Sequence, residues 1–262
     1  MDITNPEALT KSRLTSLRTK WSEPDRAKGK TWEFDGIPYT PDHWEGYNHE
    51  TREGLNTFGC KTFDDLVDKL EIKLGRKSNV IDLMGGAYFL ESPEKAQSLT
   101  GIRINDKDQE FMDVYGEKTD IYSMRFKKII QSPNRKVIEA DILSNNGWNT
   151  IKNSNLPLAD LLVCRPVGPF DVRHSVSDRF DNPNAYAGLY ISLFKRMLTL
   201  VNKKGGVIFT ETPDVYSDKE LKKFFDETDK VEGSHTTLFT VPDEDYHWGG
   251  MKRRYAVIQF KG

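Results

Sequence analysis

The chain has 262 residues, 38 basic against 40 acidic side chains, and a hydrophobic fraction of 37%. That length builds one large domain, or a core domain with an appendage, around a sizeable core. The net charge of −2 argues against an extended polyanion footprint, which calls for a basic excess, and no run approaches the ~18 apolar residues that span a bilayer.

Cys60 and Cys164 stand far apart without a CxxC pair, the usage of a reduced intracellular protein rather than of a disulfide framework. The opening stretch MDITNPEALTKSRL lacks the apolar centre of a signal peptide. A soluble, cytoplasmic protein without a membrane partner is expected. The histidines (43, 49, 174, 235 and 247) and the cysteines fall at no metal-ligand spacing, so no structural zinc is expected.

In chain order, residues 1–57 read as an irregular arm or cap, with a helix near residues 7–20. This arm is rich in aromatics, Pro, Gly and charge, and it carries Trp21, Trp32 and Trp44. Disordered tails are poor in aromatics, so it is expected to pack on a sheet edge or helix face, or to lie as a lid over a ligand site. The domain proper spans residues 58–262. TFDDLVDKLEIKL places Phe63, Leu66, Leu70 and Leu74 at helical spacing behind a Thr62 cap. NVIDLM (79–84) is a short buried strand. SPEKAQSL (92–99) reads as a short helix with Ser92 as cap and Pro93 in its first turn, and TGIRIN (100–105) as the second strand. Residues 106–131 hold one helix or two pieces of one. KVIEADI (136–142) and ADLLVCRP (159–166) are the third and fourth strands. A helix over 185–201 follows, then a Gly-Gly turn into a fifth strand within 203–213 and a helix over 218–228. Two last strands, HTTLFTV and RRYAVIQF, are joined by PDEDYHWGGMK.

Strands alternating with helices at this spacing predict βαβ units. The expected fold is α/β: a mostly parallel, seven-stranded Rossmann-like sheet with helices on both faces and a C-terminal antiparallel hairpin. In such sheets ligands bind beyond the carboxyl ends of the strands. The first strand ends at Asp82, followed by Gly85 and Gly86, and the second runs into Asn105, Asp106 and Asp108. The third ends at Asp141, and the fourth runs into Cys164, Arg165 and Pro166. One aspartate after a strand is more often a turn former or cap. Four polar strand ends in one array point to a site.

These segments resemble those of class I methyltransferases, which use S-adenosylmethionine on a seven-stranded Rossmann-like sheet. NVIDLMGG is similar to the first family motif, TGIRIND to the second, IEADI to the third and DLLVCRP to the fourth. FKRMLTLVNKKGGVIFTETP resembles the helix, turn and fifth strand, and the terminal hairpin resembles strands six and seven. The resemblance covers residues 62–260 and is topological more than motif-level. It implies S-adenosylmethionine as cofactor, with Asp82, Gly85 and Gly86 under the methionine part. By position, Arg103 or Asp106 stands where an acid binds the ribose, and Asp141 with Ile142 stands near the adenine. The family loop reads acid-x-Gly-x-Gly-x-Gly, whereas here Met84, Gly86 and Tyr88 occupy the glycine positions. Arginine cannot accept from ribose hydroxyls, so Arg103 suits a phosphate or carboxylate, and Asp106 takes the ribose if the strand runs on to Asn105.

Arg165 stands where base-amine methyltransferases carry an acceptor, which disfavours that chemistry. It is a candidate clamp for an anionic substrate, or it pairs with Asp171. His174, in the polar connection 168–186, is the candidate general base, against the plainer reading of a surface histidine. Lys252, Arg253 and Arg254 mix with aromatics at the last hairpin, a possible nucleic-acid contact or ordinary charged edge protection. Three readings follow: methyl transfer to a small-molecule or peptidic substrate, an inactive methyltransferase-fold scaffold that binds a protein partner, and an RNA or DNA methyltransferase.

Overall fold

A computed structural model describes residues 32–34, 37–39, 54–83, 85–103, 108–117, 119, 121–140, 142, 145–164, 183–212, 217–241 and 253–262. In the arm, β1 (Trp32–Phe34) and β2 (Ile37–Tyr39) pair antiparallel as a separate two-stranded sheet, where the sequence suggested only irregular chain. The helix expected near residues 7–20 lies outside the described residues.

Helix α1 (Phe63–Leu74) starts where its sequence says it should. The Thr62 hydroxyl accepts from the Asp65 N–H (3.1 Å), and the Asp65 carboxylate accepts from the Thr62 N–H (3.0 Å). Two otherwise unpaired amides are satisfied together, and Gly75, at φ 68°, ends the helix in the left-handed region. Replacing Thr62 with alanine is expected to cost about 1 kcal/mol in urea denaturation.

The strands that follow are β3 (Asn79–Leu83), β4 (Ser98–Arg103), β5 (Arg135–Glu139), β6 (Leu161–Cys164), β7 (Val207–Thr212), β8 (Ser234–Val241) and β9 (Arg253–Phe260). They form one seven-stranded sheet in the order β5-β4-β3-β6-β7-β9-β8. The five strands from β5 to β7 are mutually parallel, and β9 lies antiparallel between β7 and β8. The expected architecture is borne out. The helices are α2 (Asp108–Tyr115), α3 (Ile121–Ile130), α4 (Asn145–Asn153), α5 (Pro183–Leu200) and α6 (Asp218–Glu232). Helix α4, in a polar stretch with few apolar residues to show its period, had no sequence signal strong enough to announce it.

Side-chain alternation along the strands divides the core in two. Ile81, Leu83, Ile102, Leu162 and Ile208 face one side, under Ile151 of α4, Tyr190, Phe194 and Met197 of α5, and Phe225 of α6. Val80, Leu99, Leu161, Val163 and Phe209 face the other, under Phe63, Leu66, Val67 and Leu70 of α1. At the amino edge, the fully buried Asp160 accepts from Arg76 (2.7 and 3.0 Å), the Asn79 N–H (2.8 Å) and the Asn202 amide (2.8 Å). That bouquet ties β3 to the turns before β6 and β7. Among the described residues, no helix is long and apolar enough to cross a membrane.

Candidate functional site

The strand order reverses between β3 and β6, which places the ligand-binding crevice of such a sheet beside the end of β3. The described residues there are Asp82, Gly85, Gly86 and Arg103, and the structure brings all four together. Asp106, Asp141, Arg165 and His174 lie outside the described residues, as does Met84. Ile142 is 5% exposed in the core, and its carbonyl accepts from the Trp148 indole at 2.6 Å.

The link from β3 to β4 contains no α-helix among its described residues. The helix expected over 92–99 is a single 3-10 turn, Pro93–Lys95, without a side-chain cap from Ser92, and β4 already begins at Ser98. Tertiary hydrogen bonds defeat the local helix signal. The Asn134 amide holds the Pro93 and Ala96 carbonyls (2.8 and 2.6 Å), and the Gln97 N–H reaches Ser78 O (2.8 Å), which draws the chain into an extended path. The corner therefore lacks the helix N-terminus whose free N–H groups serve anions in these folds.

The segment after β3 instead lies flat on the sheet. At Gly101, opposite Asp82 in the β3–β4 register, an added Cβ would sit 2.7 Å from the Gly85 carbonyl oxygen. Asp82 is 6% exposed, and its carboxylate accepts from the Ala87 N–H at 2.7 Å. This fixes Ala87 at φ 62°, in the left-handed region where an alanine costs about 1 kcal/mol or more. Gly85 and Gly86 are needed for room rather than for that conformation. An added Cβ would meet Asp82 Oδ2 at 2.2 Å in the first case and the Tyr88 ring at 1.9 Å in the second.

Tyr88 is the hub of a buried polar cluster. Its hydroxyl donates to Asp108 and accepts from Arg103 (3.2 Å) and Arg135 (3.1 Å). Asp108 also accepts from Arg103 (2.6 Å) and from Arg135 (2.5 and 3.1 Å). Arg135 also donates to the Gly86 carbonyl, from Nε (3.0 Å) and Nη2 (2.8 Å), and its guanidinium lies 5.0 Å from the Tyr88 ring centroid. Phe126, from α3, packs against the same ring in an edge-to-face arrangement, with the ring centroids 5.2 Å apart. Burial raises the Asp108 carboxyl, but the hydrogen bonds from Arg135 and Tyr88 and the two guanidinium charges outweigh it and hold the group below the usual carboxylate range.

Sequence reasoning singled out Arg103 and noted Tyr88 and Asp108, but it passed over Arg135 and Gly101. The signal for Arg135 was period two, since it shares a face with Val137 and pairs with Leu99 of β4. At the hairpin end, Arg254 donates to Asp218 at 2.9 Å, while the side chains of Lys252 and Arg253 are not described.

Cys164 ends β6 at this edge, buried, with its thiol pushed up by burial first and by the Asp82 and Glu211 charges second. Burial also raises Cys60. Neither thiol is poised as a nucleophile. In the native protein both are expected to resist an aromatic disulfide reagent, and two equivalents are expected to react once denaturant unfolds the chain.

Among doubly wound sheets, the present order departs from the Rossmann arrangement by the antiparallel β9 inserted before the edge strand. Numbered within the sheet it reads 3-2-1-4-5-7-6. This is the mostly parallel, seven-stranded Rossmann-like sheet with a C-terminal antiparallel pair that the resemblance to class I methyltransferases implies. No family model matches the chain, and no curated protein matches it. Among solved structures, it is similar to the methyltransferase domain of bacterial CtHen1, with 11% identity, 75% of this chain and 97% of that chain covered, and a TM-score of 0.40. It is also similar to the N-methyltransferase NodS from Bradyrhizobium japonicum WM9, with 14% identity, 76% and 94% covered, and a TM-score of 0.40. A third is SMU.1697c from Streptococcus mutans, solved in complex with SAH, with 14% identity, 70% and 89% covered, and a TM-score of 0.37. The strand order, rather than these similarities, carries the assignment of fold.

The described half of the corner does not fit S-adenosylmethionine in the family's usual pose. The flanks of Gly85 and Gly86 are filled by Asp82 and Tyr88, the Ala87 N–H is taken by Asp82, and Arg103 offers no acceptor to a ribose.

Proposed function

We propose that this domain transfers a methyl group from S-adenosylmethionine to a small-molecule or peptidic acceptor. The supporting observation is the sheet order, with its reversal between β3 and β6, Asp82 at the penultimate position of β3, and Asp106 and Asp141 shortly after β4 and β5 in sequence. Because the corner after β3 is occupied by its own side chains, recognition of the donor falls to residues beyond β4 and β5: Asp106 and Asp141. Arg165 is the candidate contact for an anionic acceptor, and His174 the candidate base. Methyl transfer depends on positioning acceptor and sulfonium more than on strong acid–base groups, so it does not call for a catalytic dyad.

The filled corner favours a second reading, a non-catalytic domain that keeps the sheet to bind a protein partner. Calorimetric titration separates the two. Heat with S-adenosylmethionine and with S-adenosylhomocysteine at micromolar concentrations supports the enzyme, and its absence at high micromolar ligand favours the scaffold.

A further inference from the structure

We infer that Arg103, Arg135, Asp108 and Tyr88 form a clamp that stands in for the absent crossover helix, and that Arg103 is a positioning residue rather than a donor ligand. The inference deepens the methyl-transfer reading and rests on it only for the identity of the ligand. In a doubly wound sheet the first crossover helix covers β3 and β4 with side chains, while its own backbone is satisfied internally. Here the cover over Gly101 is the bare backbone of residues 85–86, whose polar groups need partners from elsewhere.

The sheet supplies them. Arg135 stands beside Leu99, and Arg103 beside Glu139, in the β4–β5 register. Both side chains rise from the α1 side of the sheet, on either side of Gly101. Arg135 secures the Gly86 carbonyl, and both arginines meet on the Tyr88 hydroxyl and the Asp108 carboxylate. Asp108, the first residue of α2, thereby ties the end of β4 back over the corner. The Arg103 side chain is 2% exposed and that of Arg135 3%. Neither presents a surface to a nucleoside. At one of the two positions that the family resemblance offers for the ribose acid, this chain has built a strut.

Hydrogen–deuterium exchange of the wild type, Arg103→Lys and Asp108→Asn tests this without any ligand. Peptides spanning 85–91 are expected to exchange about tenfold faster or more in both variants, while those of β6 and β7 keep wild-type rates. Unchanged exchange over 85–91 overturns the clamp. If either variant loosens the whole domain, Tyr88→Phe removes a single hydroxyl, and acceleration confined to 85–91 is again the supporting result, its absence the overturning one. S-adenosylhomocysteine titrated into the same proteins reads the other half. Weaker binding to Arg103→Lys with exchange unchanged makes Arg103 a ligand and overturns its positioning role. No binding even to the wild type sinks the methyl-transfer reading, and the exchange rates still decide the clamp.

Discussion

Replacing Asp108 with alanine is expected to destabilise the domain by about 3–5 kcal/mol, the range for removing one partner of a buried ion pair. The Asp108 side chain is 18% exposed, and those of Arg103 and Arg135, which flank its carboxylate, are 2% and 3% exposed. Removing it leaves two arginines facing each other across the Tyr88 hydroxyl in a region that water scarcely enters. The favourable Coulomb energy disappears, while the desolvation cost of both cations remains. The pH dependence follows from the depressed carboxyl. A group ionised more easily in the folded state adds stability above its unfolded value, and that stability is lost as pH falls through its folded value. The gap between wild type and Asp108→Ala is therefore widest near neutrality and narrows below about pH 4. Urea midpoints measured from pH 7 down to pH 3 check both parts. A gap that stays constant across that range would place the cost in packing and not in the ion pair.

The architecture was legible because its strands announce themselves. Val80, Ile81 and Leu83 make a near-continuous apolar run, broken only by Asp82, of the kind a parallel strand buried on both faces requires. The Thr62 box and the Gly75 turn mark α1 on both sides with local chemistry. The corner was legible only in outline. SPEKAQSL carries good helix-start signals, but Asn134 and Ser78, distant in sequence or strand, decide its backbone. Met84 and Tyr88 could be seen as departures from a glycine pattern, yet nothing local says that Tyr88 turns inward onto Arg103, Asp108 and Arg135. Such a cluster forms from two strands, the segment after β3 and a helix start, and its parts become neighbours only once the β3–β4–β5 register is known. Arg103 thus reads as a ligand position in the sequence and as a strut in the fold.

The second large effect belongs to a residue without a side chain. Gly101→Ala is expected to cost about 1–3 kcal/mol, as an overpacked core methyl does, although Gly101 is flanked by ordinary strand residues. An alanine fits a β-strand well by itself, so propensity favours the substitution. The obstacle is the Gly85 carbonyl oxygen at 2.7 Å, with the Gly86 carbonyl carbon and Cα at 3.0 Å. These are backbone atoms and cannot rotate aside. The segment must lift from the sheet, and lifting it lengthens the two bonds from Arg135 to the Gly86 carbonyl. Gly101→Ala and Arg135→Met therefore attack one contact from opposite sides. The double variant is expected to lose less stability in urea than the sum of the single losses, because a segment already raised by the methyl has little left to lose at Arg135. Strict additivity would mean that the Cβ is absorbed elsewhere, and that residues 85 and 86 do not rest on Gly101 in solution.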